Sequence, residues 1–128
     1  MAREYRTRLR MARGRGAAGE GAGHFWAQRL TAVASILSAI FIMILAIALA
    51  GRDYAAARAL IAHPLITAGL MLSAATFVWH MMIGMQVIIE DYVHSPGLKV
   101  GLLMANVLFS ALVLVLALAA LGKIALGA

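Results

Sequence analysis

His80 lies in the middle of an uncharged apolar stretch that ends, eleven residues later, in Asp91-Tyr92. An imidazole at membrane depth is costly to place and marks a candidate functional position. Eleven residues turn an α-helix through about three full turns, so His80 and Asp91 share a face and lie about 16 Å apart along the axis. The same face carries Ser73, Thr76, Gly84 and Val87. Small and hydroxyl-bearing residues of this kind face other helices in a membrane, not lipid. Gly84, one turn beyond His80, removes a side chain where something flat or bulky could approach. The residues alone leave three readings of His80 open. A neutral imidazole can give one nitrogen to a haem iron. It can instead bond a carbonyl of a neighbouring helix, or relay protons, although no second acid lies within a turn or two.

Arg29 is the next candidate. It stands just inside the first apolar run, in Gln28-Arg29-Leu30-Thr31-Ala32. Its stem can snorkel so that the charge reaches the headgroups. Alternatively, its guanidinium fork suits a carboxylate such as a haem propionate. His24, close by, could help bind an anion there. His63 precedes a proline and His94 lies in a turn, positions that suit solvated rings. Trp26, Trp79 and Tyr54 read as interface anchors or packing residues, and the eight methionines as adaptable filler.

These residues need elements to hold them, and composition says which. Of the 128 residues, 64% are hydrophobic and only 12% are charged. A soluble domain is about a quarter charged, so this composition implies an integral membrane protein. The formal net charge of +6 is concentrated at one end, with Arg3, Arg6, Arg8, Arg10, Arg13 and Arg15 in the first fifteen residues. A basic segment before a first span is an orientation signal that stays cytoplasmic, and it can touch anionic lipid. That reading is preferred to a nucleic-acid arm. The absence of cysteine excludes disulfides, thiolate metal sites and a thiol nucleophile. The N-terminus does not read as a cleavable signal peptide, because a Gly/Ala-rich stretch separates its arginines from a run long enough to span.

Three charge-poor runs follow, at about 30–50, 65–89 and 100–121. Each is long enough to cross about 30 Å of hydrocarbon. The fold expected is all-α: three transmembrane helices running up-down-up, preceded by a basic tail over residues 1–23, with the membrane domain over 24–128. Arg52 to His63 form a short loop, and Pro64 suits a helix start. Glu90 to Lys99 form the second turn. With the N-terminus cytoplasmic, the C-terminus is periplasmic, and Arg29, Asp91 and Tyr92 all sit at the cytoplasmic face.

The segment from His80 through Gly84 to Glu90-Asp91-Tyr92 resembles the second-helix motif of the succinate dehydrogenase hydrophobic membrane anchor, the D-type subunit of respiratory complex II. Gly23-His24-Phe25-Trp26 with Gln28-Arg29-Leu30-Thr31-Ala32 looks like that family's entry into helix one. The resemblance implies half of a two-subunit anchor bundle in a bacterial inner membrane, serving electron transport and the tricarboxylic acid cycle. It implies partnership with a C-type anchor, an iron-sulfur subunit and a flavoprotein subunit. Haem b is then shared between the two anchors, with quinone as substrate. FAD, iron-sulfur clusters and succinate chemistry reside on the other subunits. Carried over by position, His80 is an axial haem ligand. Tyr92 hydrogen-bonds a quinone carbonyl, and Asp91 orients neighbours such as a partner arginine or takes part in proton delivery. Arg29, and with it His24, lies near the haem propionates and the quinone pocket. The long arginine- and glycine-rich N-terminus is a departure that the motif does not address.

Two other functions compete with this one. A fumarate reductase anchor uses a similar plan with the chemistry reversed, and a small proton or ion transporter subunit could use His80 and Asp91 along its path.

Overall fold

The computed structural model describes residues 20–127, and these are helix joined by short connections, with no strand among them. Helix α1 is Glu20–Leu49, α2 is Tyr54–Ala62, α3 is Pro64–Tyr92 and α4 is Pro96–Ala125. Three segments are long and apolar enough to cross a membrane: Ala22–Leu49, Pro64–Tyr92 and Pro96–Ala125. The all-α, three-span expectation therefore holds. The arginine-rich part of the tail, residues 1–19, lies outside the described residues.

Each of the three spanning helices extends beyond its apolar run at one end or both. The 30 residues of α1 make about 45 Å of helix, well beyond about 30 Å of hydrocarbon. Hydropathy marks only the part that meets lipid, whereas the backbone continues to satisfy its own hydrogen bonds outside it. Gly51, in the left-handed region at φ 77°, turns the chain after α1, and Arg52 Nε donates to the Ala48 carbonyl at 2.7 Å. The loop expected next is largely the short helix α2. Its signal was present in the sequence. Asp53 is an N-cap whose Oδ1 accepts from Ala56 N at 2.8 Å, and the run that follows is alanine-rich. Pro64 then opens α3 directly. Between α3 and α4 only Val93, His94 and Ser95 lie outside helix. Lys99 Nζ closes that turn by donating to the Glu90 carbonyl at 2.8 Å.

Helix α3 is the centre of the fold and packs against both α1 and α4, with α2 against α3 and α4. Two contacts fix the register of α1 on α3. The Phe41 ring lies against Gly69, and Thr31 meets His80. Moving back along α1 thus moves forward along α3, so the pair is antiparallel. On the other side, Asn106 meets Met82 and Lys99 meets Glu90, which makes α4 antiparallel to α3.

The interior is small and polar while the exterior is large and apolar. Buried apolar residues are Leu45, Ile83 and Ile89, whereas Thr31, Ser38, Thr67, Ser73, Asn106 and Ser110 are buried polar residues. Leu30, Ile36, Ile47, Leu72, Leu108 and Leu116 face outward. Small polar residues let helices approach closely, and without water outside, nothing drives large apolar side chains inward. Several hydroxyls bond back to nearby carbonyls, as Ser73 does to Gly69 at 2.8 Å and Thr67 to Ile61 at 2.6 Å.

Candidate functional site

The face of α3 marked out by the sequence divides into a covered part and an open part. Ser73 is 3% exposed. It lines a cavity of about 250 Å³ with Thr76, Gly69, Phe41, Ser38 and Ala34, between α3 and α1. One to two turns on, His80 is half-buried and its Nδ1 lies 3.0 Å from Thr31 Oγ1. Beyond His80 the face stays half-buried at Gly84 and Val87 and opens at Asp91. A Cβ placed on Gly84 would meet nothing within 4 Å. Asp91 and Tyr92 are exposed, Tyr92 at 77%.

The bonding of Thr31 bears on which ring nitrogen of His80 carries the proton. A hydroxyl has one hydrogen to donate. That of Thr31 is directed at its own helix, 2.8 Å from the Ala27 carbonyl and 3.1 Å from the Gln28 carbonyl. With that hydrogen kept within α1, the oxygen is placed to accept from His80 Nδ1–H; the opposite sense would turn the hydroxyl away from both carbonyls. In a neutral imidazole that arrangement leaves the lone pair on Nε2. The partner expected for a merely structural His80 was a backbone carbonyl; the one found is a hydroxyl on α1. Thr31 was not singled out as a site residue in the sequence, because only the α1–α3 register reveals it.

His24 lies two turns before Thr31, and seven residues bring a helix back to within about 20° of the same side. In the antiparallel register this sets it near the height of Val87, about 10 Å from the level of His80. Its ring is half-buried, and Nε2 is buried without a hydrogen-bond partner among the described residues. A buried polar atom left unpaired carries a desolvation cost and is rare in folded proteins.

The Arg29 backbone lies closer in height to His80 than to Asp91. By the same register its backbone is near the height of Met82, about 13 Å from the level of Asp91. The guanidinium is exposed and stacks over the Phe25 ring, 4.1 Å from its centroid, one turn toward the N-terminus of α1. Phe25 in turn meets Trp26 edge-to-face at 6.1 Å. The charge is thus drawn back along α1 while its stem covers apolar surface.

At the far end of the stripe, Gln86 Nε2 donates to Glu90 Oε1 at 2.8 Å, and Lys99 engages the Glu90 carbonyl. The side chains of Asp91 and Tyr92 have no hydrogen-bond partner among the described residues. His63 and His94 are exposed, as expected of solvated rings.

Among the described residues no three metal-ligating side chains converge. An iron centre here would take one ligand, His80, from this chain. The residues present fit a haem in that half-site. His80 Nε2 has no hydrogen-bond partner among the described residues, a Cβ at Gly84 would meet nothing within 4 Å, and His24 offers an unpaired nitrogen toward the α1 N-terminal end.

The comparisons with known proteins agree on the family. The succinate dehydrogenase/fumarate reductase transmembrane subunit family matches residues 3–120. The chain is 30% identical over 115 residues to the succinate dehydrogenase hydrophobic membrane anchor subunit of Rickettsia bellii (strain RML369-C), covering 90% of this chain and 92% of that one. No solved structure matches it significantly. The sequence resemblance is thereby borne out, and the chain belongs to the succinate dehydrogenase/fumarate reductase transmembrane subunit family.

Proposed function

We propose that the chain is one of two anchor subunits of a succinate:quinone oxidoreductase. It would share a haem b with a C-type anchor and help form the site where quinone is reduced. The observation that carries this reading is the contact of His80 Nδ1 with Thr31 Oγ1 at 3.0 Å, which leaves Nε2 without a hydrogen-bond partner among the described residues. A histidine that ligates a metal through one nitrogen characteristically donates from the other.

Haem b, when bound, would supply a one-electron centre, with His80 as the residue of this chain that holds it. The chain's own residues have separate tasks. His80 offers Nε2 to the iron. Gly84 leaves room on the same face for a flat group or for the partner helix. His24 and Arg29 stand toward the α1 N-terminal end, where a carboxylate can accept from the unpaired imidazole nitrogen or from the guanidinium. Tyr92 donates its phenol proton to a quinone carbonyl, and Asp91 orients a neighbouring cation or passes a proton to the same site.

The six arginines of the first fifteen residues support a cytoplasmic N-terminus, in a membrane we read as a bacterial inner membrane. Asp91 and Tyr92 then face the cytoplasm, where the iron-sulfur subunit docks, and the C-terminus is periplasmic. The flavoprotein subunit carries out the succinate oxidation that links the complex to the tricarboxylic acid cycle. The family takes in succinate dehydrogenase and fumarate reductase subunits, and the relative's name, a succinate dehydrogenase anchor, supports the first of these.

Co-expression with the C-type, iron-sulfur and flavoprotein subunits tests the reading. The purified complex is expected to give a reduced-minus-oxidised haem b spectrum. Tyr92→Phe should lower quinone reduction about 3- to 10-fold, the equivalent of about one hydrogen bond, with succinate oxidation by a soluble acceptor largely kept. A complex without haem, or equal loss of both activities in Tyr92→Phe, would overturn the corresponding assignment.

A further inference from the structure

Thr31 is buried at the crossing of α1 and α3, and its hydroxyl has three polar neighbours: Ala27 O at 2.8 Å, Gln28 O at 3.1 Å and His80 Nδ1 at 3.0 Å. The first two already satisfy its proton within α1. Thr31 therefore gains little from His80, whereas His80 gains an acceptor for an N–H that lies at membrane depth. Unpaired donors there are costly, because no water is available to replace the partner.

We propose that Thr31 is a positioning residue for the haem-ligating imidazole, fixing its tautomer and ring plane and strengthening Nε2 as a donor. This rests on the reading of His80 as a haem ligand. Three physical steps support it. Rotation about χ2 of a histidine is broad, so an anchor at Nδ1 is needed to aim Nε2 in one direction. Donation from Nδ1–H excludes the tautomer in which Nε2 holds the proton and cannot bind iron. The bonds run in one sense, from the ring N–H to the threonine oxygen and from the threonine O–H to the helix carbonyls, so each polarises the next. Electron density is pushed toward Nε2, which favours ferric over ferrous iron and lowers the midpoint potential. The contact also ties the ring to the backbone of Gln28, next to Arg29, so ligand geometry and the entry of α1 are set together.

The test uses the complete four-subunit complex. Thr31→Val keeps the shape of the side chain and removes its hydroxyl. Haem affinity is expected to fall about 10- to 100-fold, as for other partners of metal-bound histidines. The haem that remains should show a raised midpoint potential and altered low-spin electron paramagnetic resonance g-values. Thr31→Ser, which restores the acceptor, should return both to the wild-type positions. If Thr31→Val fails to assemble, Thr31→Ser and Thr31→Ala isolate the hydroxyl, since both lose the methyl group. Equal potentials and g-values in that pair, or wild-type values in Thr31→Val, would overturn the proposal. His80→Ala in the same preparation separates the two ideas. Haem that is lost with His80 but indifferent to Thr31 rejects only the role of Thr31. Haem that survives His80→Ala rejects the ligand reading itself.

Discussion

The two seams of α3 are built from similar small residues but hold different kinds of polar contact. On the α4 side, Asn106 Nδ2 donates to the Met82 carbonyl at 2.9 Å, and Ser110 Oγ is buried without a partner among the described residues. On the α1 side, Thr31 addresses a side chain, the His80 ring, and His24 keeps an unpaired nitrogen. A bond to a backbone carbonyl fixes one helix against another and leaves no group over. A bond to one nitrogen of an imidazole fixes the ring and leaves the other nitrogen to act. The α4 seam therefore reads as a clamp, and the α1 seam as the support for a ligand.

The largest expected break in that contrast comes from the open surface beside His80. Gly84→Phe adds a ring at a position where a Cβ meets nothing within 4 Å. The chain should still fold, while haem content of the complex falls more than about tenfold, the equivalent of about 1.4 kcal/mol. Pyridine haemochrome analysis measures it. Full haem content in this variant would mean that the open face serves another purpose.

Next comes the tight crossing below it. A Cβ on Gly69 would lie 2.7 Å from Phe41 Cζ, so Gly69→Ala forces the ring aside. A cost of about 1–3 kcal/mol is expected for overpacking. It should appear as a lower midpoint for unfolding in mixed detergent, with the haem spectrum unchanged in form. A spectral change would show that the crossing and the ligand are coupled more tightly than the two-seam picture allows.

Two smaller effects test the α4 seam alone. Asn106→Leu removes a single bond between membrane helices, worth about 0.6 kcal/mol and at most about 1.7. Ser110→Ala removes a hydroxyl with no partner and should be neutral to within about 0.5 kcal/mol. Neither should move the haem potential. A shift in Asn106→Leu would show that the Met82 backbone, two residues from His80, transmits to the ligand.

These contrasts also mark what could be read without coordinates. The three spans were legible because charge-free runs of that length have no other stable setting. The His80–Asp91–Tyr92 relation was legible because it lies on one helix, where spacing alone fixes the face. Thr31 was not. Its contact with His80 crosses 49 residues of sequence, and the register of α1 on α3 depends on packing such as Phe41 against Gly69. The height of the Arg29 backbone, near Met82, was not legible for the same reason, since hydropathy does not set the height of one helix against another. Helix α2 could have been found from the Asp53 cap and the alanines after it, signals hidden by reading the segment as a connection between longer runs.

The central claim is that His80 Nε2 binds haem iron, and replacing the ring by a removable one tests it most directly. In the purified complex, His80→Gly should lose the low-spin haem b spectrum. Added imidazole, free to occupy the vacated volume, should restore it. An unchanged low-spin spectrum in His80→Gly without imidazole would contradict the account.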